Sequence, residues 1–238
     1  MPRPIQATIH VQALRHNLEV CRRAAPDARI WAVVKANAYG HGIERAFDGL
    51  RGADGSALLD LDEAQRVRSL GWRGPILLLE GVFEQRDLEL CSRLGLWHTV
   101  HCQEQIDMLA IHKTNEPHRV FLKVNSGMNR LGFSPQRYRS AWTRLNALPQ
   151  VDEITLMTHF AHADDAQGVA EQFALLRLDK DAHELDHWQK SFEIHASGQG
   201  LEATSVTLVA RGAILPDGMR LLVFDDISEI VSAQRSQA

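Results

Sequence analysis

The sequence predicts an α/β fold: a partial (β/α)8 TIM-type barrel of six strand-helix units, followed by a C-terminal antiparallel β segment and a terminal helix. Three observations carry this expectation. From Ile30 to Leu178 short apolar, often β-branched runs alternate with stretches of helical periodicity, and the hydrophobic period switches between about two and about 3.6 each time. Such repetition argues a parallel sheet, and six units in about 150 residues amount to more than half of an eight-stranded barrel. Beyond Lys180 the rhythm changes to strand-like runs with no room for helices between them. A doubly wound open sheet is the other architecture the pattern permits, but its GxGxxG phosphate fingerprint is absent from the first strand-helix turn.

Taken in order, a short opening strand is expected around Gln6 to Val11. Gln12 to Ala25 then places Ala13, Leu14, Leu18, Val20 and Cys21 mostly on one helical face, and Pro26 ends that helix. Strands are expected at Ile30 to Val34, Ser56 to Leu59, Pro75 to Leu79, Leu96 to Val100, Arg119 to Val124 and Glu153 to Phe160. Helices intervene around Ile43 to Leu50, Asp62 to Leu70, Gln85 to Leu94, Gln103 to Ile111 and Gln136 to Leu148, with Gln167 to Leu178 after the sixth strand. The charged stretch from Leu178 to Gln189 reads as a join, dividing the chain into 1–178 and 179–238. Ser191 to His195, Ala203 to Ala213 and Met219 to Asp225 read as an antiparallel meander. LPDG supplies the last turn, too short for a parallel crossover, and Ser228 can cap a helix through Gln237.

Composition narrows the function. With 238 residues, 45% hydrophobic and 24% charged, the chain can bury a full core. A net charge of −4 and a pI near 6.3, with scattered positive charges, give no footprint for nucleic acid, so no such partner is expected. No apolar stretch approaches the roughly 20 residues of a membrane span, and MPRPIQATIH lacks the order of a signal peptide, so a cytoplasmic protein without a membrane partner is expected. Cys21, Cys91 and Cys102 show no paired spacing and suit reduced thiols; no metal site is expected.

The chain is organised around Ile30 to Gly42, IWAVVKANAYGHG, where an apolar strand runs into Lys35 and then a turn. An isolated strand-end lysine ordinarily snorkels into water. At the carboxyl end of a barrel strand, against apolar neighbours, it can instead serve as an amine nucleophile. A second constellation is KVNSGMNRLGF, Lys123 to Phe133, a strand end followed by a turn that bears Arg130 on the same rim. A third is THFAHAD, Thr158 to Asp164, where His159 closes the sixth strand; a histidine there is more often a satisfied structural residue.

VVKANAYGHG, KVNSGMNRLGF and THFAHAD, with PILLLEG and ALLDLDEA, resemble the N-terminal barrel of bacterial alanine racemases over about Pro4 to Gln172. The resemblance implies pyridoxal 5'-phosphate as cofactor, held by Lys35 through a Schiff base, with Lys35 as one catalytic base. It implies that the Tyr39 hydroxyl bonds the cofactor phosphate, that a carbamylated Lys123 orients Arg130 beside the cofactor and the substrate carboxylate, and that His159 belongs to the network beneath the ring. It implies alanine as substrate, D-alanine supply for peptidoglycan as role, and room for a homodimer. The second, opposing base of the family is a tyrosine of a separate β domain. The two tyrosines present are Tyr39 and Tyr138, so weak or absent racemisation is expected. A pyridoxal-handling barrel without racemisation is the alternative. From about Asp186 the tail, with VTLVARGAILPDGMRLLVFDDISEI, is similar to the end of the PAS-type sensory domain of nitrogen-regulation sensor kinases. That similarity implies a chimera and leaves open a non-enzymatic interaction module.

Overall fold

Short apolar runs bounded by polar turns make short parallel strands, each answered by a helix. The computed structural model describes residues 6–114, 116–161 and 172, with the backbone of residues 186–196, 204–214 and 220–226. In chain order the elements begin α1 (Val11–Ala24), β1 (Trp31–Val33), a helical turn α2 (Lys35–Tyr39), α3 (Ile43–Leu50), β2 (Gly55–Leu58) and α4 (Leu61–Ser69). Then come β3 (Ile76–Leu78), α5 (Gln85–Leu94), β4 (Leu96–Val100), α6 (Gln103–Ile111), β5 (His118–Val124), α7 (Pro135–Asn146) and β6 (Val151–Thr158). The tail adds β7 (Asp186–Ala196), β8 (Thr204–Ile214) and β9 (Arg220–Asp226). Helices Gln85–Leu94 and Gln103–Ile111 and strand Leu96–Val100 match the sequence reading to the residue.

The opening strand does not form. Residues 6–10 are extended coil, and the His10 carbonyl accepts from the Ala13 and Leu14 amides, so the chain enters α1 directly. A strand needs a neighbour, and among the described residues β1 is paired with β2 alone. Helix starts follow local chemistry where the sequence offers it. Asp60 Oδ1 accepts from the Asp62 amide at 2.7 Å ahead of α4, and Glu84 with Asp87 makes a reciprocal cap at α5. Gly95, left-handed at φ 59°, stops α5 one residue before β4.

β1 to β6 pair consecutively and in parallel. β7, β8 and β9 form the expected antiparallel meander. One expectation is corrected: β9 also pairs in parallel with β6, Met157 against Leu222, and so continues the parallel run as a seventh strand. The short LPDG connection does forbid a parallel β8–β9 pair, but β9 reaches β6 over the long span after Thr158, which is ample for a crossover. The sheet order is β1-β2-β3-β4-β5-β6-β9-β8-β7, with β1 and β7 at its ends. The helix expected at Gln167 to Leu178 lies outside the described residues except at Gln172, which is helical; the terminal helix from Ser228 lies wholly outside them.

Alternation along the strands sorts two cores. Odd-numbered Trp31, Val33, Ala57, Leu77, Leu79, Trp97, Phe121 and Met157 pack together on the concave face. Even-numbered residues such as Leu58, Ile76, Leu78, Val120, Leu122 and Leu156 face the helices. Trp31, Trp97 and Phe121 lie with ring centroids 5.3 to 6.0 Å apart and plug the concave side. Gly55 leaves room for this, since a Cβ there would strike the Trp31 ring. At the amino end of the strands Arg68 ties four carbonyls, those of Trp72, Gly74, Leu94 and Gly95, at 2.6 to 3.1 Å. Cys21 and Cys91 are buried, and burial pushes the Cys91 thiol up to about 12. Among the described residues no helix is long and apolar enough to cross a membrane.

Candidate active site

The same alternation carries polar side chains into the next layer, at the carboxyl ends of the strands. Lys35 follows β1, His101 follows β4, Lys123 lies near the end of β5, and His159 follows β6. All four are odd-numbered and continue the concave series. Lys123 is buried. His159 stands just past the last residue of β6, Thr158, rather than within the strand.

Lys35 opens an unusual turn. Ala36, Asn37, Ala38 and Tyr39 all have φ between 51° and 55°, a left-handed turn in four successive non-glycine residues. Asn37 anchors it. Its amide donates to Glu63 Oε1 at 2.6 Å, and its Oδ1 accepts from the Ile43 amide at 3.1 Å and from Arg66 Nη2 at 2.7 Å. Arg66 in turn grips Glu44 through Nε and Nη2 at 2.9 and 2.8 Å. That contact holds the Glu44 carboxyl below the usual range. The turn places the Tyr39 ring 5.8 Å from Lys35 Nζ and leaves Tyr39 about half exposed on the rim.

The loop after β5 presents Arg130. Asn125 Oδ1 accepts from the Gly127 and Asn129 amides at 3.0 Å each, and its Nδ2 donates to Asn129 Oδ1 at 2.9 Å. The loop returns to its own strand, with the Phe133 amide donating to the Lys123 carbonyl at 2.9 Å. At Gly132, φ 122°, a Cβ would press on the Asn125 amide and Val124, so the return is open to glycine. Ser126, buried, joins Thr158 by a 2.8 Å hydroxyl pair and the His159 carbonyl at 3.2 Å, locking β5 to β6 beneath the site.

His159 reports the field of this rim. Its pKa is lowered to about 3, first by burial and then by Lys123, Arg130 and Lys35. The imidazole is therefore neutral, and its Nδ1 is buried without a hydrogen-bond partner. Three cations beside one neutral imidazole make a concave, electropositive rim that suits an anionic ligand. Lys35, Lys123 and Arg130 thus lie near enough to His159 for their charges to bear on it, and Tyr39 lies beside Lys35.

Two features were missed. His101 and Glu80 belong to the rim as well: the His101 amide donates to Gln105 Oε1 at 2.8 Å, and the His101 imidazole, its pKa lowered first by burial, feels the charges of Lys123 and Glu80. Buried Gln105 donates back to the Glu80 and Val82 carbonyls at 2.9 and 3.1 Å. The signal was available, because His101 stands across from Lys123 if the Thr99–Phe121 and Val100–Leu122 register is carried one step further. The Asn37, Glu44, Glu63 and Arg66 clamp had no sequence signal, being assembled from three elements.

A parallel barrel-type sheet with its lysines, arginine and histidine gathered at the carboxyl ends of the strands places the chain among barrel-type α/β proteins whose ligand site lies on that rim. The chain belongs to the alanine racemase N-terminal domain family, which it matches over residues 9–215. This match runs past Gln172, where the resemblance read from motifs ended. An alanine racemase of Albidiferax ferrireducens is 80% identical over 175 residues, covering 74% of this chain and 47% of that protein. One of Variovorax paradoxus is 74% identical over 185 residues, covering 78% and 50%. Among solved structures, alanine racemase from Acinetobacter baumannii gives a TM-score of 0.66 at 32% identity over 72% of this chain and 52% of that one. The biosynthetic alanine racemase from Pseudomonas aeruginosa gives 0.66 at 27% identity, covering 92% and 84%. The chain spans about half the length of the curated relatives it matches.

Proposed function

We propose that this chain carries the cofactor-lysine half of a pyridoxal-phosphate-dependent alanine racemase. The observation that carries the reading is the gathering of Lys35, Lys123 and Arg130 around His159, whose buried Nδ1 lacks a partner. These residues fit the cofactor: a phosphate and a phenolic oxygen are anionic, Lys35 and Arg130 are cationic, and His159 offers an unused imidazole nitrogen. When bound, pyridoxal phosphate supplies an electron sink that makes the α-proton of an amino acid removable.

The chain's own groups then divide the work. Lys35 Nζ holds the cofactor and takes or returns the α-proton on its face. Arg130 holds the substrate carboxylate by charge-assisted bonds, and Lys123, as a carbamate, holds Arg130 in place. His159 stays neutral and orders the network, and the Tyr39 hydroxyl meets the phosphate. The reading of the tail as a sensory-type segment keeps one support, the antiparallel order of β7, β8 and β9.

The test has two arms. Borohydride reduction with pyridoxal phosphate followed by peptide mapping should label Lys35 out of the five lysines. Label on Lys123 or on a tail lysine overturns the assignment, and no label at all favours a non-enzymatic module. In the second arm, exchange of the alanine α-proton with solvent should outrun loss of optical activity. Tyr39 lies beside Lys35, and Tyr138 packs against the helix-side core, so neither faces Lys35 from across the rim. Full racemisation at enzyme-like rates, roughly 1 to 1,000 per second, would overturn the one-base reading. Labelling without any exchange would favour a pyridoxal-handling barrel.

A further inference from the structure

We propose that His101 is the proton acceptor and hydrogen-bond partner that enables Lys123 to take up CO2. The inference rests on the reading of Lys123 as a carbamate and goes beyond it by naming the group that makes the modification favourable.

The geometry begins with register. Thr99 pairs with Phe121 and Val100 with Leu122, so this register carried one residue past the end of β4 sets His101 opposite Lys123, whose charge bears on the His101 ring. Thr99 and Phe121 belong to the concave face, and the same parity turns His101 and Lys123 toward it. Lys123 is buried, and His101 Nε2 is a buried atom without a hydrogen-bond partner.

The backbone that carries the ring is held in place: the His101 amide donates to Gln105 Oε1, and Gln105 Nε2 ties the Glu80 and Val82 carbonyls to the His101 loop. Gly81 lets the two loops touch, since a Cβ there would collide with the Thr99 carbonyl. With no donor or acceptor bonded to Nε2, the Nδ1–H tautomer presents a lone pair there. The charged groups that bear on this ring are Lys123 and Glu80, and burial is the largest influence keeping it neutral. A neutral acceptor is thus held beside an ammonium.

The step balances. The Lys123 ammonium gives one proton to His101 Nε2 and becomes a neutral amine. The amine lone pair forms an N–C bond to CO2 while one C=O pair moves onto oxygen, and the second nitrogen proton leaves to water. The products are a carbamate anion on Lys123, an imidazolium at His101 and a hydronium ion, with total charge unchanged. Imidazolium and carbamate then form a charge-assisted pair, which offsets the cost of a buried anion among other charges.

The experiment uses the full chain equilibrated with 13C-bicarbonate, reading the carbamate carbon by NMR and the bound CO2 by native mass. The unaltered chain should show one carbamate that Lys123→Ala removes. His101→Gln, which keeps the volume and a hydrogen-bonding side chain but accepts no proton, should raise the bicarbonate concentration for half-modification at least tenfold. His101→Ala should do the same, with borohydride labelling of Lys35 confirming that each variant is folded. Carbamate titration of His101→Gln matching the unaltered chain overturns the role of His101 and leaves the carbamate reading standing. No carbamate in the unaltered chain, or one that survives Lys123→Ala, overturns both.

Discussion

Four successive side chains at positive φ after Lys35 concentrate backbone strain in one turn. At about 1–2 kcal/mol per residue the cost is about 4–8 kcal/mol, and the Asn37 contacts with α3 and α4 help to offset it. Asn37→Ala removes the acceptor shared by the Ile43 amide and Arg66 and should lower stability by about 1–2 kcal/mol in urea unfolding. Ala36→Gly removes a Cβ from a left-handed position and should be neutral or stabilising by up to about 1 kcal/mol. A clear loss from Ala36→Gly would mean that the left-handed turn is not the native one. At this scale the sequence was legible where chemistry is written into consecutive residues: VVKANAYGHG marked Lys35 and Tyr39, and KVNSGMNRLGF marked Lys123 and Arg130. It was illegible where partners lie far apart in the chain, as Glu44, Glu63 and Arg66 lie from Asn37. His101 falls between these cases, since only strand register brings it to Lys123.

Between β4, β5 and the helices over them, three histidines pack in one buried cluster. His98 Nε2 and His118 Nδ1 lie 3.3 Å apart, and the His112 ring centroid is 5.2 Å from that of His118. Burial first, and then neighbouring histidines, lower the pKa of His98 to about 3 and of His118 to about 4. Both rings are therefore neutral in the folded chain, while an unfolded histidine takes a proton near pH 6.5. The stability they contribute is complete above about pH 6.5 and is lost as pH falls from there toward about 4 for His118 and about 3 for His98. Urea unfolding at pH 7 and at pH 5 should show the drop, and His98→Gln, which cannot be protonated, should shrink the difference between the two. An unchanged difference would show that the cluster is not buried as neutral rings. Helices and strands from α1 to β6 followed from periodicity, with boundaries moving by only one or two residues, whereas β7 begins at Asp186, five residues before the expected Ser191 and inside the stretch read as a join. The opening strand failed because strand character in residues 6–10 found no partner strand, a requirement that lies outside the segment itself.

For the molecule as a whole, the parallel sheet was legible from six repeated units, while the place of the tail was not. Turn chemistry fixed the antiparallel β8–β9 pair, but nothing local says which older strand β9 will join. Leu222 pairs with Met157 on one side and Gly212 on the other, so β9 is an interior strand at that point. Leu222→Pro removes a ladder amide there and should cost roughly 2 kcal/mol or more, read as a lower melting temperature. A melting temperature equal to that of the unaltered chain would exclude β9 from the ladder.

The β6–β9 pairing also sets an order of events during synthesis. Each of β2 to β6 docks on the strand made just before it, so these units can accrete one at a time as the chain emerges from the ribosome. β6 cannot follow that rule on its far side, because its partner there, β9, is made only after β7 and β8. Until residue 223 has emerged, the Leu156–Thr158 edge of β6 stays unpaired on that side and open to another chain. The slowest and most aggregation-exposed stage of folding therefore lies between the completion of β6 and the docking of β9, at the seam between the barrel units and the tail.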